Sequence, residues 1–345
     1  MSAAAKRDIR FDIMKAVAIL LVFIGHIMQF GFESYTESPL FNIIWALQIP
    51  LFMFISGYFS ATDGHIIAGG PLSKIGKRAV TYLLPFVSYF YIIKVLILGG
   101  YGRNFAAATL KLVYHMEASL WFLWVVFVLS AVFIIGDYFY CRAKHPVAKL
   151  AALAAAVLVL LLPWVAVCFK LSTTFLGSKY VLYYSIFFGA GFLLRKYKSL
   201  VAKLLHKQWL ADIAFTVCLG VFAFIIFNTQ LCQAADGLTN TVLRIVAGGA
   251  GIVVVGMLCR QIPSRPNSRL QNGLRVIGEN TLEIYAVHLV LVTILPKVDI
   301  GIFTCKGYIY LAVYTAVVAV LTYGVICLLK ANRLTNLLFF GKRAP

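Results

Sequence analysis

The sequence predicts an all-α fold, a polytopic transmembrane helical bundle of about ten spans with both termini cytoplasmic. Three observations point there. The 345 residues are 62% hydrophobic and 12% charged with a mean hydropathy of +0.91, whereas a soluble domain is roughly half apolar and about a quarter charged. Apolar runs recur at the length a helix needs to cross the hydrocarbon core, about 20 residues. The basic residues gather in alternate connections, as cytoplasmic loops do.

The first apolar run, over 9–32, continues past the length of a signal-peptide core and meets no small-residue cleavage pattern, so it reads as a span and not a leader. Further spans follow at 39–59, 79–98, 119–140 and 148–168, then at 180–194, 210–228, 239–258, 280–296 and 308–329. The run at 180–194 is the shortest. With a cytoplasmic N-terminus, 23 of the 31 basic residues fall on the inner side, while the outer loops hold Arg103, Lys111, Lys170, Lys179, Lys297 and Lys306. The formal charge of +19 is thereby a topology signal, and nucleic-acid binding is excluded as its explanation. The seven cysteines are scattered, with no CxxC pair, and read as small apolar side chains without metal or redox chemistry. No repeat, low-complexity tract or long loop divides the chain, so residues 1–345 form a single membrane domain.

Ionisable side chains inside a span are costly and so are functional candidates. They are Asp12, Lys15 and His26 in the first span, Lys94 in the third, Arg244 in the eighth, and Glu283 and His288 in the ninth. Lys15 and His26 stand eleven positions apart, a rotation of roughly 1100° and a rise of roughly 16 Å, so they share one helix face about half the hydrocarbon thickness apart. Lys15 then lies at the cytoplasmic rim and His26 near or beyond mid-membrane. The structural alternative makes Lys15 a snorkelling anchor and His26 a hydrogen-bonded packing residue.

Lys15, ten residues and His26, preceded by Asp12, resemble the first-helix signature of the acyltransferase 3 family. Other segments agree in order: PLFMFISGYF at 50–59, Lys77-Arg78 followed by LLPF at 83–86, LWFL at 120–123, and IGENTLEIYAVH at 277–288. The family more often has Arg where this chain has Lys15, and a lysine is a point charge without a bidentate fork. The SGNH-type domain fused to some members is not expected here.

The resemblance implies a membrane O-acyltransferase, most simply an O-acetyltransferase, taking an acyl group from cytoplasmic acetyl-CoA (acyl-CoA). The acceptor implied is a hydroxyl of a carbohydrate or glycolipid at the cell (plasma or inner) membrane. CoA phosphates need cations at the cytoplasmic face, which suits Lys15, with Lys77, Arg78 and Ser56 as further candidates for the donor. His26, with an unperturbed pKa near neutrality, is the candidate general base, with Asp12 beside it in the catalytic set; a covalent acyl-His intermediate stays open. Tyr285 and His288, one turn apart, are candidates for binding the acceptor substrate in the pocket beside His26, and Asn280 with Glu283 has the spacing of a capping box. For the acceptor the candidates are Glu117 and Trp121 near the start of the fourth span and Arg244 in the eighth, the last also able to pair with Glu117 or Glu33. The competing class is a multi-span transporter or flippase of a glycan or small anionic metabolite. Acceptor identity, acyl length and assembly into a homo-oligomer are left open by the sequence.

Overall fold

Residues 8–61, 70–168, 175–233, 237–263, 266, 268–294, 301 and 304–342 are described by the structure, a computed structural model. Lys6, Arg7, Lys170, Arg265, Lys297 and Arg343, which enter the charge count above, lie outside these residues, as does the end of the 280–296 span. The helices are α1 (Ile9–Gly31), α2 (Pro39–Ser60), α3 (Gly70–Ser88), α4 (Phe105–Tyr114), α5 (Trp121–Arg142), α6 (Pro146–Cys168), α7 (Ser178–Lys196), α8 (Lys198–Leu205), α9 (Gln208–Asn228), α10 (Leu238–Arg260), α11 (Arg269–Glu279), α12 (Thr281–Ile294), α13 (Cys305–Ala331) and α14 (Arg333–Phe340). No strand forms among the described residues. All ten expected spans fall on helices, and the connections add four shorter ones, α4, α8, α11 and α14. Among the described residues seven helices are long and apolar enough to cross a bilayer: α1, α2, α3 with its continuation, α5, α9, α10 and α13; the bent pair α11–α12 makes an eighth if counted as one span. Exposed apolar side chains such as Leu158 on α6, Phe224 and Phe227 on α9, and Val320 and Leu328 on α13 suit a lipid-facing surface, whereas most of α1 and α2 is buried.

Local chemistry explains where these helices begin and bend. Asp8 caps α1 by accepting from the Arg10 amide, and the 23 residues that follow reach roughly 34 Å, enough to cross the core. Pro85 lies inside α3 and removes a ladder donor. Four residues later the chain widens into a π-helix, Tyr89–Ile97, closed by the Leu98 amide on the Ile93 carbonyl. Between α11 and α12 the axis turns by 74°. There the Asn280 side-chain amide donates back to the Val276 carbonyl at 2.8 Å, while its own carbonyl starts α12 by accepting from Ile284.

The chain packs as two compact units, residues 1–55 with 199–326 and residues 56–198 with 327–345. In the first, α1 packs on α10, α11 and α12, and α9 on α10. Its core joins Phe23, Ile27 and Met28 of α1 to Phe41 and Ile44 of α2, Val292 of α12 and Val318 of α13. The α1–α11 crossing is very close: a Cβ on Gly278 would stand 1.8 Å from the Asp12 carbonyl oxygen. A second core holds Ala46, Ile225, Ile226, Leu231 and Ala247. Beside it the fully buried Asn42 donates to the carbonyls of Ile226 at 2.9 Å and Thr229 at 2.7 Å, and accepts from the Leu231 amide at 2.9 Å. One amide thus satisfies the backbone where α9 ends.

In the second unit α3 packs on α5 and α14, and α5 on α6 and α7. Gly57 at the end of α2 meets α7 so closely that a Cβ would stand 1.9 Å from the Phe188 carbonyl oxygen. The last turn of α2 is surrounded by cations, as suits the negative end of a helix. Lys74 donates to the Ser60 carbonyl at 2.6 Å, Arg78 to that of Phe59 at 3.1 Å, and Arg195 to the Tyr58 hydroxyl at 3.3 Å.

Candidate active site

α1 and the bent pair α11–α12 carry most of the costly residues of the first unit, in two separate pairs. Near the start of α1, Asp12 is 2% exposed and accepts from the Lys15 ammonium at 2.8 Å. A buried carboxylate needs such a partner. The Lys15 side chain keeps 24% of its surface against 3% for Asp12, so the cation stays reachable while the carboxylate fixes its position. The Asp12 backbone is also what Gly278 packs against, so the same turn of α1 anchors both the ion pair and the helix crossing.

Further along α1, His26 Nδ1 lies 3.0 Å from His288 Nε2 on α12. The ring centroids are 5.2 Å apart and the planes differ by 20°. That centroid distance exceeds the N–N distance by nearly two ring radii. The imidazoles therefore meet edge to edge, with the nitrogen lone-pair directions in line, as a hydrogen bond requires. His288 Nδ1 lies 2.6 Å from the Ile284 carbonyl. Phe23 and Tyr285 flank the His288 ring at centroid distances of 5.1 and 6.2 Å. His288 is fully buried, and His26 is half-buried.

Of the other predicted residues in this unit, Tyr285 and Glu283 are buried. Arg244 donates from Nε to the Leu231 carbonyl at 3.0 Å, on the segment that Asn42 also ties down. In the second unit, the Ser56 carbonyl accepts from Ser60 Oγ at 2.8 Å. Lys77 is exposed. Arg78 is committed to the Phe59 carbonyl and, at 2.8 Å, to the Tyr82 hydroxyl. Lys94 lies on the π-helix with its ammonium 5.9 Å from the Tyr101 ring centre. Glu117 is exposed with an oxygen 3.7 Å from His115 Nδ1. Trp121 stacks against Tyr180 and Tyr184 of α7 at 4.4 and 5.7 Å, a half-buried aromatic wall. Among the described residues no group of three or more His, Cys, Asp and Glu side chains gathers in metal-binding fashion.

Gln48 was missed in the sequence. This α2 residue is 9% exposed, and its amide oxygen has no hydrogen-bond partner among the described residues. It fills the space beside Gly25, 3.1 Å from where a Cβ there would stand, one residue from His26. The signal was present: an amide within the apolar run ALQIPLF has the same cost in lipid that marks a charge.

Comparison with known proteins adds three findings. A family model described as an acyltransferase domain matches residues 8–330. The nodulation protein NolL of Sinorhizobium fredii is 31% identical over 168 residues, 47% of this chain and 44% of that protein. The nodulation protein NolL of Mesorhizobium japonicum is 33% identical over 128 residues, 35% of this chain and 34% of that protein. The chain thus spans less than half the length of the curated relatives it matches. No solved structure matches.

Proposed function

The chain belongs to the acyltransferase family whose domain model covers residues 8–330, and from that premise we propose that it is a multi-pass O-acyltransferase of the cell membrane. The donor in this reading is cytoplasmic acyl-CoA, with acetyl-CoA the simplest case, and the acceptor a hydroxyl of a carbohydrate or glycolipid. The observation that carries it is the edge-to-edge contact of His26 with His288 at 3.0 Å, on the same helix face as the Asp12–Lys15 pair.

His26 is the general base. It takes the proton of the acceptor hydroxyl as that oxygen attacks the thioester carbonyl. The new O–C bond forms, the C–S bond breaks, and the imidazolium returns its proton to the departing thiolate. The products are the O-acyl ester and free CoA, with His26 neutral again. Lys15, set by Asp12, binds the anionic part of the donor as a point charge, and Lys77, exposed on the second unit, is a further candidate for the donor. Arg78 donates to the Phe59 carbonyl at the end of α2 and to the Tyr82 hydroxyl, and its remaining N–H donors stay candidates for the donor phosphates. On the acceptor side, the Trp121 wall with Tyr180 and Tyr184 offers aromatic surface of the kind sugars stack on, and exposed Glu117 a carboxylate for hydroxyls.

Purified protein in lipid, given radiolabelled acetyl-CoA and membrane glycans, tests this directly. His26→Ala should lower label transfer at least about 100-fold, and Lys15→Ala should raise KM for the donor about tenfold with kcat nearly kept. Substrate flux across the membrane without covalent labelling would replace the enzyme by a transporter.

A further inference from the structure

We infer that His288 is a positioning residue that holds His26 in the tautomer with its proton on Nδ1, so that Nε2 is the basic atom. This rests on the reading of His26 as the base, and concerns which nitrogen acts and what fixes it.

The assignment follows from one anchored end of the chain of contacts. A carbonyl oxygen only accepts, so the nitrogen 2.6 Å from the Ile284 oxygen, His288 Nδ1, must carry hydrogen. A neutral imidazole with hydrogen on Nδ1 has a bare lone pair on Nε2. That lone pair faces His26 Nδ1 at 3.0 Å, which must then be the donor. With its proton on Nδ1, neutral His26 presents a bare Nε2, and Nε2 has no hydrogen-bond partner among the described residues. Each step follows from satisfying every buried polar atom.

The geometry also resists escape from this state. The His288 ring cannot turn over without pointing a nitrogen away from the Ile284 carbonyl, and Phe23 and Tyr285 flank it. It is fully buried, so no bulk water substitutes for either contact. His26 retains accessible surface, as a group that must reach a substrate needs. When Nε2 takes the acceptor's proton, Nδ1–H continues to donate to His288, and the new charge forms against a lone pair already in place. A carboxylate usually orients a catalytic histidine. Here a neutral histidine anchored on its own helix backbone does so, without a second charge in the bilayer interior, where charges are costly.

Two experiments test this. Ring-¹⁵N-histidine-labelled protein in lipid near neutral pH reports the tautomers by NMR, with His26 assigned by its loss in His26→Gln. The expected result is hydrogen on Nδ1 and a bare Nε2 at His26, changing in His288→Phe. Hydrogen on His26 Nε2 in the wild type overturns the inference. In transfer assays, His288→Phe should lower kcat at least about 100-fold while KM for acetyl-CoA stays within about threefold. His288→Gln, whose amide oxygen can accept from His26 Nδ1–H, should recover most of that loss. A His288→Phe protein that melts like the wild type and keeps its kcat, or a His288→Gln protein no better than His288→Phe, also overturns it. If His26→Ala retains full transfer, the assignment of His26 as base fails instead, whatever tautomer the spectra show.

Discussion

Gly278→Ala puts the α1–α11 crossing to a quantitative test. The added methyl would stand 1.8 Å from the Asp12 carbonyl oxygen, 2.6 Å from its carbon and 3.0 Å from its Cα. Ordinary contact begins at 3.4 Å, so the helices must part by about 1.6 Å at this point. The obstacle is backbone within a helix and cannot rotate aside as a side chain would. The cost therefore belongs at the upper end of overpacking, about 3 kcal/mol. A displacement of α1 relative to α11 also disturbs what α1 carries. Lys15 is one turn from the clash, and the His26–His288 contact of 3.0 Å tolerates little movement. A misplacement of about 1 Å can lower turnover about 100-fold, so label transfer should fall by roughly 10- to 100-fold. Gly273→Ala is the control on the same helix, because a Cβ there meets nothing within 4 Å; it should be neutral or gain up to about 1 kcal/mol of helix propensity. Thermal unfolding of the purified proteins, read alongside label transfer, compares the two. Equal melting temperatures and equal rates for both variants would refute the steric reasoning.

Three further outcomes follow from the contacts. Asn42→Ala removes three buried hydrogen bonds and should destabilise the protein by about 3 kcal/mol, with faster amide hydrogen exchange at Leu231; unchanged exchange there would count against Asn42 as the tie. Gly57→Ala places a Cβ 1.9 Å from the Phe188 carbonyl and should lower the melting temperature by several degrees, whereas Gly256→Ala, with open space around it, should not. At the start of α1, hydrogen bonds from Arg10 hold the Asp8 carboxyl below the usual carboxylate range. Because the folded-state pKa is depressed, this stabilisation is present above about pH 4 and lost as pH falls through the folded value. Asp8→Asn should flatten the acid side of a melting-temperature profile, and an unaltered profile would exclude Asp8 as its source.

The spans were legible because lipid imposes one rule everywhere: about 20 apolar residues with the backbone satisfied internally. The shorter helices were not, since α11 follows no long apolar run. Its start depends on a local cap, the Gln271 amide on Ser268 Oγ, and its orientation on Gly278 fitting against α1. His26 and Lys15 were legible as a pair because they share one helix, whose rotation per residue is fixed. That His288 meets His26 across 262 positions was not readable from spacing. It depends on the 74° turn at Asn280, which aims α12 at α1.

Arg78 shows why charge alone does not assign a role at a helix end. A cation near the end of a span suits an incoming phosphate and a neighbouring helix's unsatisfied carbonyls for the same physical reason, attraction to partial or full negative charge. The Phe59 and Ser60 carbonyls accept from Arg78 and Lys74, while the Arg78 guanidinium, with five N–H donors, keeps capacity for an anion as well. Asn42 and Gln48 show what a count of charges leaves out. Counting only ionisable residues as costly in lipid passed over two amides, although an amide without partners in hydrocarbon is expensive as well. Of the two, Asn42 meets that cost with three backbone bonds. Gln48 leaves an oxygen without a partner among the described residues, against Gly25 of α1. The same burial rule therefore separates them: the satisfied amide is explained by the fold, and the unsatisfied one packs against Gly25, the residue that precedes the base on α1.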